Sequence, residues 1–375
     1  MFAELDTPCL LLDRTRMAAN LARMRGRIAG LGGKIRPHLK TIKSAEALPL
    51  IFDGGIGPIT VSTLREAEVF AGYGIKDMLY AVGIAPQKLP RVSRLLDQGI
   101  DLKICVDSMQ AADFVVAQSQ KSGRRIPVVI EIDVDDHRSG VPWQDLNQII
   151  EIAKRLTHGA DFRGVMSHSG ESYGLAQDDA RIKAADEERV RILQAVDALR
   201  SAGGIACPMV SVGATPTALA SSSLEGVSEM RAGVFMFFDL VQAGIGVCSS
   251  DNIAISVLAT VIGRRDDKGW LIVDAGWTAM SQDRGTAAQL VDQHYGIVCD
   301  IDGQPYQDIV LARANQEHGI ITCRPGSGAS LPPLSIGDRV RILPNHACAT
   351  AHLHENYVLV DHGDVTGTWS RFRGW

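Results

Sequence analysis

What most constrains this chain is an alternation running from Cys9 to about Leu240, in which short apolar runs exchange with segments of helical spacing. Apolar runs stand at 9–13, 34–37, 59–62, 78–82, 102–106, 128–134, 162–167, 209–212 and 227–234. Between them, 14–30, 63–71, 87–98, 109–119, 143–156, 178–201 and 217–222 carry apolar residues three and four apart, as in Met17, Leu21, Met24 and Ile28. Strands separated by helices lie parallel, because each helix carries the chain back across the sheet. Eight or nine such units within residues 6–243 fit a (β/α)8 TIM barrel, so the expected class is α/β with an N-terminal barrel.

After Gly244 the texture changes. Short strands are expected at 253–262, 270–274, 296–301, 309–312, 339–343 and 357–361, with Gly-, Asp- and Pro-rich connectors such as 265–269 and 302–305. Residues 244–375 therefore read as an antiparallel β domain, with residues 1–5 free to pack with it. The charge of −5 argues against nucleic acid or an acidic membrane as partner. No apolar run reaches the roughly 18 to 20 residues that span a bilayer, and no signal peptide is visible. Seven cysteines, an odd number, suggest reduced thiols in a cytoplasmic enzyme.

Several strand ends carry groups a purely structural barrel does not need. In Arg36-Pro37-His38-Leu39-Lys40 the proline extends the chain, and Lys40 would stand at the carboxyl rim, where such barrels keep their chemistry. The plain alternative is a solvated basic turn. The stretch 131–140 holds four acids, His137 and Arg138, with Glu131, Asp133 and Asp135 on one face of an extended chain; structural ion pairs are the alternative. The next strand closes on Ser167-His168-Ser169-Gly170-Glu171-Ser172-Tyr173, which groups a histidine, hydroxyls and a phenol. Gly213-Ala214-Thr215-Pro216-Thr217 is a strand-to-helix turn suited to a phosphate dianion, and it falls late in the barrel. A lysine early and a phosphate cradle late are what a pyridoxal phosphate enzyme requires.

In the β domain, Pro344-Asn345-His346-Ala347-Cys348 ends a strand. Two residues apart in extended chain, His346 and Cys348 would project from one face about 7 Å apart and could hold a divalent metal. A core cysteine beside a loop histidine is the alternative. His352 and His354 repeat the spacing, and Asn315, Gln316 and His318 form a further polar group; none of these five has an assignable role.

Taken together, Asp6-Thr7-Pro8, Arg36-Pro37-His38-x-Lys40-Thr41, Arg138-Ser139-Gly140, Ser167-His168 with Tyr173, Gly213-x-Thr215-Pro216-Thr217 and Pro344-Asn345-His346-x-Cys348 resemble the fold-type III pyridoxal phosphate enzymes. The resemblance is to their D-threonine aldolase and D-serine (D-threo-3-hydroxyaspartate) dehydratase group, with an alanine racemase-like barrel. It implies pyridoxal 5′-phosphate, a divalent metal beside it, and a homodimer. It also implies that Lys40 is the Schiff-base lysine, that Gly213 and Thr215 bind phosphate and that Tyr173 lies near the ring. Arg138 would approach the cofactor's phenolic oxygen, and His346 and Cys348 would hold the metal. In that group His-x-Asp marks some aldolases and His-x-Cys the zinc-dependent dehydratases; manganese or magnesium would favour oxygen ligands.

The reading adopted from sequence is a lyase on D-3-hydroxy amino acids of the D-threonine aldolase type, giving glycine and acetaldehyde, with His168 as base. The alternative is a zinc-dependent dehydratase of D-serine or D-threo-3-hydroxyaspartate, giving a 2-oxo acid and ammonia. A pyridoxal phosphate carrier would need neither the β domain nor the metal pair. A metal hydrolase would want its ligands on barrel strands.

Overall fold

The structure is a computed structural model that describes residues 2–136 and 138–375. The chain forms two compact units, one of Arg23–Gly233 with Arg373–Trp375, the other of the residues up to Ala22 with Val234–Phe372. Among the described residues no helix is long and apolar enough to cross a membrane.

The first strand, β1 (Cys9–Asp13), belongs to the second unit and is followed by the helix Arg14–Gly30, whose Met17, Leu21, Met24 and Ile28 are all buried, as their spacing requires. The first unit is then built on β2 (Ile35–Pro37), β3 (Ile59–Val61), β4 (Asp77–Gly83), β5 (Asp101–Val106) and β6 (Pro127–Asp133). It continues with the short β7 (Val141–Pro142), β8 (Asp161–Ser167), β9 (Met209–Val212) and β10 (Glu229–Ala232). Eight of these run in the order β2-β10-β9-β8-β6-β5-β4-β3, all parallel, while β7 pairs only with β6. A parallel bridge between His38 and Thr60, with the Leu39 N–H on the Thr60 oxygen at 3.0 Å, joins the ends and closes the barrel. Helix starts follow from side chains: Thr63 accepts the Glu66 N–H at 3.1 Å, and Ser108 accepts that of Ala111 at 3.2 Å.

Inside the barrel Leu79, Cys105, Val129, Met166 and Met209, one from each of five strands, form an apolar layer. Toward the amino ends an acid opens four strands (Asp77, Asp101, Asp161, Glu229). Arg36, buried, bonds Glu229 at 2.8 Å and Asp77 at 2.7 Å, and Lys103 bonds Asp77 at 2.8 Å. Arg36 thus tethers strand bottoms and does not reach the rim. Buried charge tolerated this way must be paired from several sides.

The second unit adds β11 (Ile255–Arg265), β12 (Trp270–Val273), β13 (Gly296–Cys299), β14 (Pro305–Ala314), β15 (Gly319–Cys323), β16 (Arg339–Pro344), β17 (Asn356–Asp361) and β18 (Asp364–Ser370). Their order is β12-β15-β14-β13-β16-β11-β1-β17-β18, and β12 also pairs with β11, so β11–β16 close on themselves. The strand at 9–13, counted above among the barrel units, lies here, antiparallel to β11 (Leu11 opposite Ser256) and parallel to β17 (Leu12 opposite Leu359). Its run of Leu10, Leu11 and Leu12 is fully buried, which apolar patterning cannot distinguish from a barrel strand. Leu11 packs with Phe2, Leu258, Val358 and Val360. Two strands went unread: β15 contains a glycine and only a short apolar run, and β18 is polar and largely exposed.

Candidate active site

Lys40, Arg138, His168, Gly213 and Gly233 all lie just past the carboxyl ends of barrel strands, so one rim gathers them. Lys40 is exposed there. The neighbouring Lys43 is buried with its ammonium 3.2 Å from Glu66, which leaves Lys40 as the available amine. The His38 imidazole turns back on this loop, Nδ1 accepting the Lys40 backbone N–H at 3.4 Å. Burial, with the charges of Lys40, Arg231 and His168, holds His38 well below the ordinary histidine range.

His168 is half-buried, and its Nδ1 lies 3.1 Å from the Gly213 carbonyl oxygen. A carbonyl only accepts, so Nδ1 carries the proton and Nε2 presents its lone pair. Burial, with Lys40, Arg138 and Arg231 nearby, lowers its pKa to about 3. The ring is therefore neutral at physiological pH, as a proton acceptor must be. Tyr173, in the turn Glu171–Gly174, lies with its ring centroid 6.3 Å from that of His168.

The turn after β9 has room and an unused donor. Gly213 has φ +130, and a Cβ there would strike the Arg231 carbonyl oxygen and the Met230 sulfur, so the close approach demands glycine. Thr215 Oγ1 is buried with no hydrogen-bond partner among the described residues. An orphaned buried hydroxyl is costly unless a ligand satisfies it. A phosphate beside a cradle that a Cβ would fill meets that need, and the residues present fit pyridoxal phosphate. The Gly213 N–H is already committed to Glu188 Oε1 at 2.9 Å, so this glycine serves by its missing side chain.

Arg231, on β10 inside the barrel, is buried; Nη1 donates to Ser211 Oγ at 2.7 Å and Nη2 to the Ser167 carbonyl. Glu131 is buried too, and burial raises its carboxyl above the ordinary range although Arg138 stands 3.9 Å away. The acid-rich strand end does not keep one extended face. β6 stops at Asp133, whose Oδ1 takes the N–H groups of Asp135 at 3.2 Å and Asp136 at 2.9 Å, turning the chain. His137 lies outside the described residues.

In the second unit, His346 and Cys348 are not two apart on an extended strand. β16 ends at Pro344, His346 is the N-cap of the helix Ala347–Leu353, and Cys348 stands in its first turn. The helical turn brings the thiol into hydrogen-bond reach of the imidazole. Asp283 Oδ2 lies 2.6 Å from His346 Nδ1, which leaves Nε2 for a ligand. Asp239, buried, accepts the Ala347 N–H at 2.9 Å and fixes the helix start. Burial disfavours the His346 cation, yet Asp283, Cys348 and Asp239 together raise its pKa to about 11. Such a field favours a cation, and a metal on an imidazole and a thiolate replaces protons with one. Among the described residues no cage of three or more such donors exists, so the pair fits a two-ligand site with open positions. Nitrogen and sulfur donors suit zinc.

His352 is helical and His354 caps that helix, with Nε2 2.9 Å from the Ala279 oxygen, so the second His pair has no extended geometry either. Asn315, Gln316 and His318 form the exposed β14–β15 turn. The residues that sequence reasoning passed over, Glu188, Asp239 and Asp283, meet their partners only through the fold. Asp283 is 63 positions from His346 and gives no local signal.

Comparison with known proteins matches residues 12–241 to the family described as alanine racemase, N-terminal domain, and 254–360 to the putative serine dehydratase domain. D-threo-3-hydroxyaspartate dehydratase of Delftia sp. (strain HT23) is 48% identical over 374 residues, covering 99% of this chain and 98% of that one. D-serine dehydratase of Dictyostelium discoideum is 30% identical over 96% of this chain and 94% of its own. The 3-hydroxy-D-aspartate aldolase of Paracoccus denitrificans (strain Pd 1222) is 28% identical, over 98% and 92%. The solved Delftia dehydratase superposes with a TM-score of 0.96 at 48% identity, over 100% of this chain and 99% of that one. A cysteine-to-alanine variant of a D-threo-3-hydroxyaspartate dehydratase has been solved in a metal-free form and is 47% identical, with a TM-score of 0.96 over 100% of this chain and 99% of that one.

Proposed function

Since the chain belongs to the fold-type III pyridoxal phosphate enzymes, joining the alanine racemase N-terminal domain to the serine dehydratase domain, we propose that it is a D-3-hydroxy amino acid dehydratase. Its substrates would be D-threo-3-hydroxyaspartate and its smaller analogues, and its products a 2-oxo acid and ammonia. The observation that carries this reading is 48% identity along almost the whole chain to a dehydratase of that substrate, against 28% to an aldolase. The nitrogen–sulfur donor pair points the same way. Weight thus moves from the aldolase reading of the sequence to its alternative.

Bound pyridoxal phosphate would supply an electron sink for charge left at the substrate α-carbon. A divalent metal on His346 and Cys348, zinc by its donors, would supply Lewis acidity toward the departing hydroxyl. The Cys→Ala variant of the 47% identical dehydratase, metal-free, supports a metal on the thiol here. Gly213 and Thr215 would take the phosphate, Tyr173 would lie near the ring, and Arg138 near the phenolic oxygen. Lys40 would hold the cofactor and then, as a free amine, take the α-proton at Nζ. His168, with Nδ1 committed to Gly213, would accept a hydrogen bond from the 3-hydroxyl at Nε2 and hold its orientation. The working assembly, by family likeness, is a homodimer.

Incubation with D-threonine tests the reaction type. 2-Oxobutyrate and ammonia are expected; glycine and acetaldehyde would restore the aldolase, which the Paracoccus relative supports.

A further inference from the structure

Glu188 is a buried acid placed against the turn after β9, on the helix Asp178–Gly203 and 2% exposed. Its Oε1 accepts from Ser167 Oγ at 2.8 Å and from the Gly213 N–H at 2.9 Å, and its Oε2 from Thr217 Oγ1 at 3.2 Å. These donors come from the end of β8 and from the turn after β9. Thr217 Oγ1 in turn accepts the Ala214 N–H at 3.1 Å, so the carboxylate fixes the turn on both sides of Ala214. Thr215, with its unpartnered hydroxyl, sits inside that span.

A carboxylate here looks misplaced, since it should repel a phosphate dianion. Its charge, however, points into three donors, and an ionised carboxylate is a pure acceptor. Burial acts against that charge and pushes the carboxyl above the ordinary glutamate range, while Gly213, Ser167 and Arg231 oppose the push. The Gly213 carbonyl, at the other end of the same residue, is the acceptor for His168 Nδ1.

Resting on the functional reading above, we infer that Glu188 is a positioning residue for the cofactor phosphate: it holds the 213–217 turn in the shape that aims the Thr215 hydroxyl at a phosphate oxygen. It touches neither cofactor nor substrate. Glutamine can keep the two Oε1 contacts and offer its amide toward Thr217, whereas alanine takes the acceptor from the Ser167 hydroxyl and the Gly213 N–H and leaves Thr217 Oγ1 only the Ala214 carbonyl oxygen at 3.3 Å.

The test titrates pyridoxal phosphate into full-length apoprotein of wild type, Glu188→Gln and Glu188→Ala, following the visible absorbance of lysine-bound cofactor and the ³¹P resonance of its phosphate. Glu188→Ala should bind about ten- to a hundredfold more weakly, as for the loss of hydrogen bonds to a charged group, with its ³¹P resonance moved toward that of free cofactor. Glu188→Gln should stay within about threefold of wild type, since it keeps most of those contacts. If Glu188→Ala does not fold by near-UV circular dichroism, Thr217→Val removes one of the three contacts and should weaken binding about tenfold. Unchanged affinity and ³¹P shift in a folded variant, even with a lowered Tm, overturn the inference. If borohydride fixes no cofactor to Lys40 in wild type, the functional reading fails instead.

Discussion

His168 shows how one residue can be tuned by its setting. Its folded pKa of about 3 lies below the ordinary value near 6.5, so on acidification the unfolded chain takes up a proton that the folded chain refuses. The stability this residue supports is therefore complete above about pH 6.5 and falls as the pH drops toward 3. Thermal midpoints of wild type and His168→Gln, followed from pH 7.5 to 4.5, should diverge, with the wild type losing more on acidification. Parallel curves would mean the ring is not held neutral. The place of Lys40 and His168 at the barrel rim was legible because Pro37 and the small residues beside His168 mark strand ends. Glu188 was not, since nothing in a charged helical segment singles out the acid that faces inward.

At the scale of elements, the metal pair proposed for His346 and Cys348 depends on a short helix that its sequence does not announce. Ala347-Cys348-Ala349-Thr350-Ala351 follows the strand end Pro344-Asn345-His346 and holds no proline or glycine of its own, and extended geometry was the expectation there. Asp239, by accepting the Ala347 N–H, starts the helix instead and folds Cys348 back toward His346. Metal analysis of purified protein checks this. His346→Ala and Cys348→Ala should each lose the bound metal, whereas Asp283→Ala, which frees the imidazole to rotate, should weaken it roughly 10- to 100-fold. Full metal content in the first two would place the metal elsewhere. The strand at 9–13 was misassigned for a similar reason: a fully buried apolar strand carries no mark of which sheet receives it, and only the pairing with β11 and β17 decides.

For the whole molecule, the barrel was readable because each strand–helix unit repeats one physical problem with one solution. The β unit was readable as a class but not in its strand count, since β15 and β18 lack clear alternation. The chemistry was the least readable, because both lyase reactions would use the same lysine, phosphate turn and metal pair. They differ in the bond that breaks. Dehydration removes the α-proton, while aldol cleavage breaks the bond between the α- and β-carbons and leaves that proton in place. The most direct measurement is therefore the rate on D-threonine carrying deuterium at the α-carbon, compared with the unlabelled substrate. Slower release of 2-oxobutyrate from the deuterated substrate, a primary isotope effect, is the expected result. Equal rates, with deuterium retained in a glycine product, would contradict it.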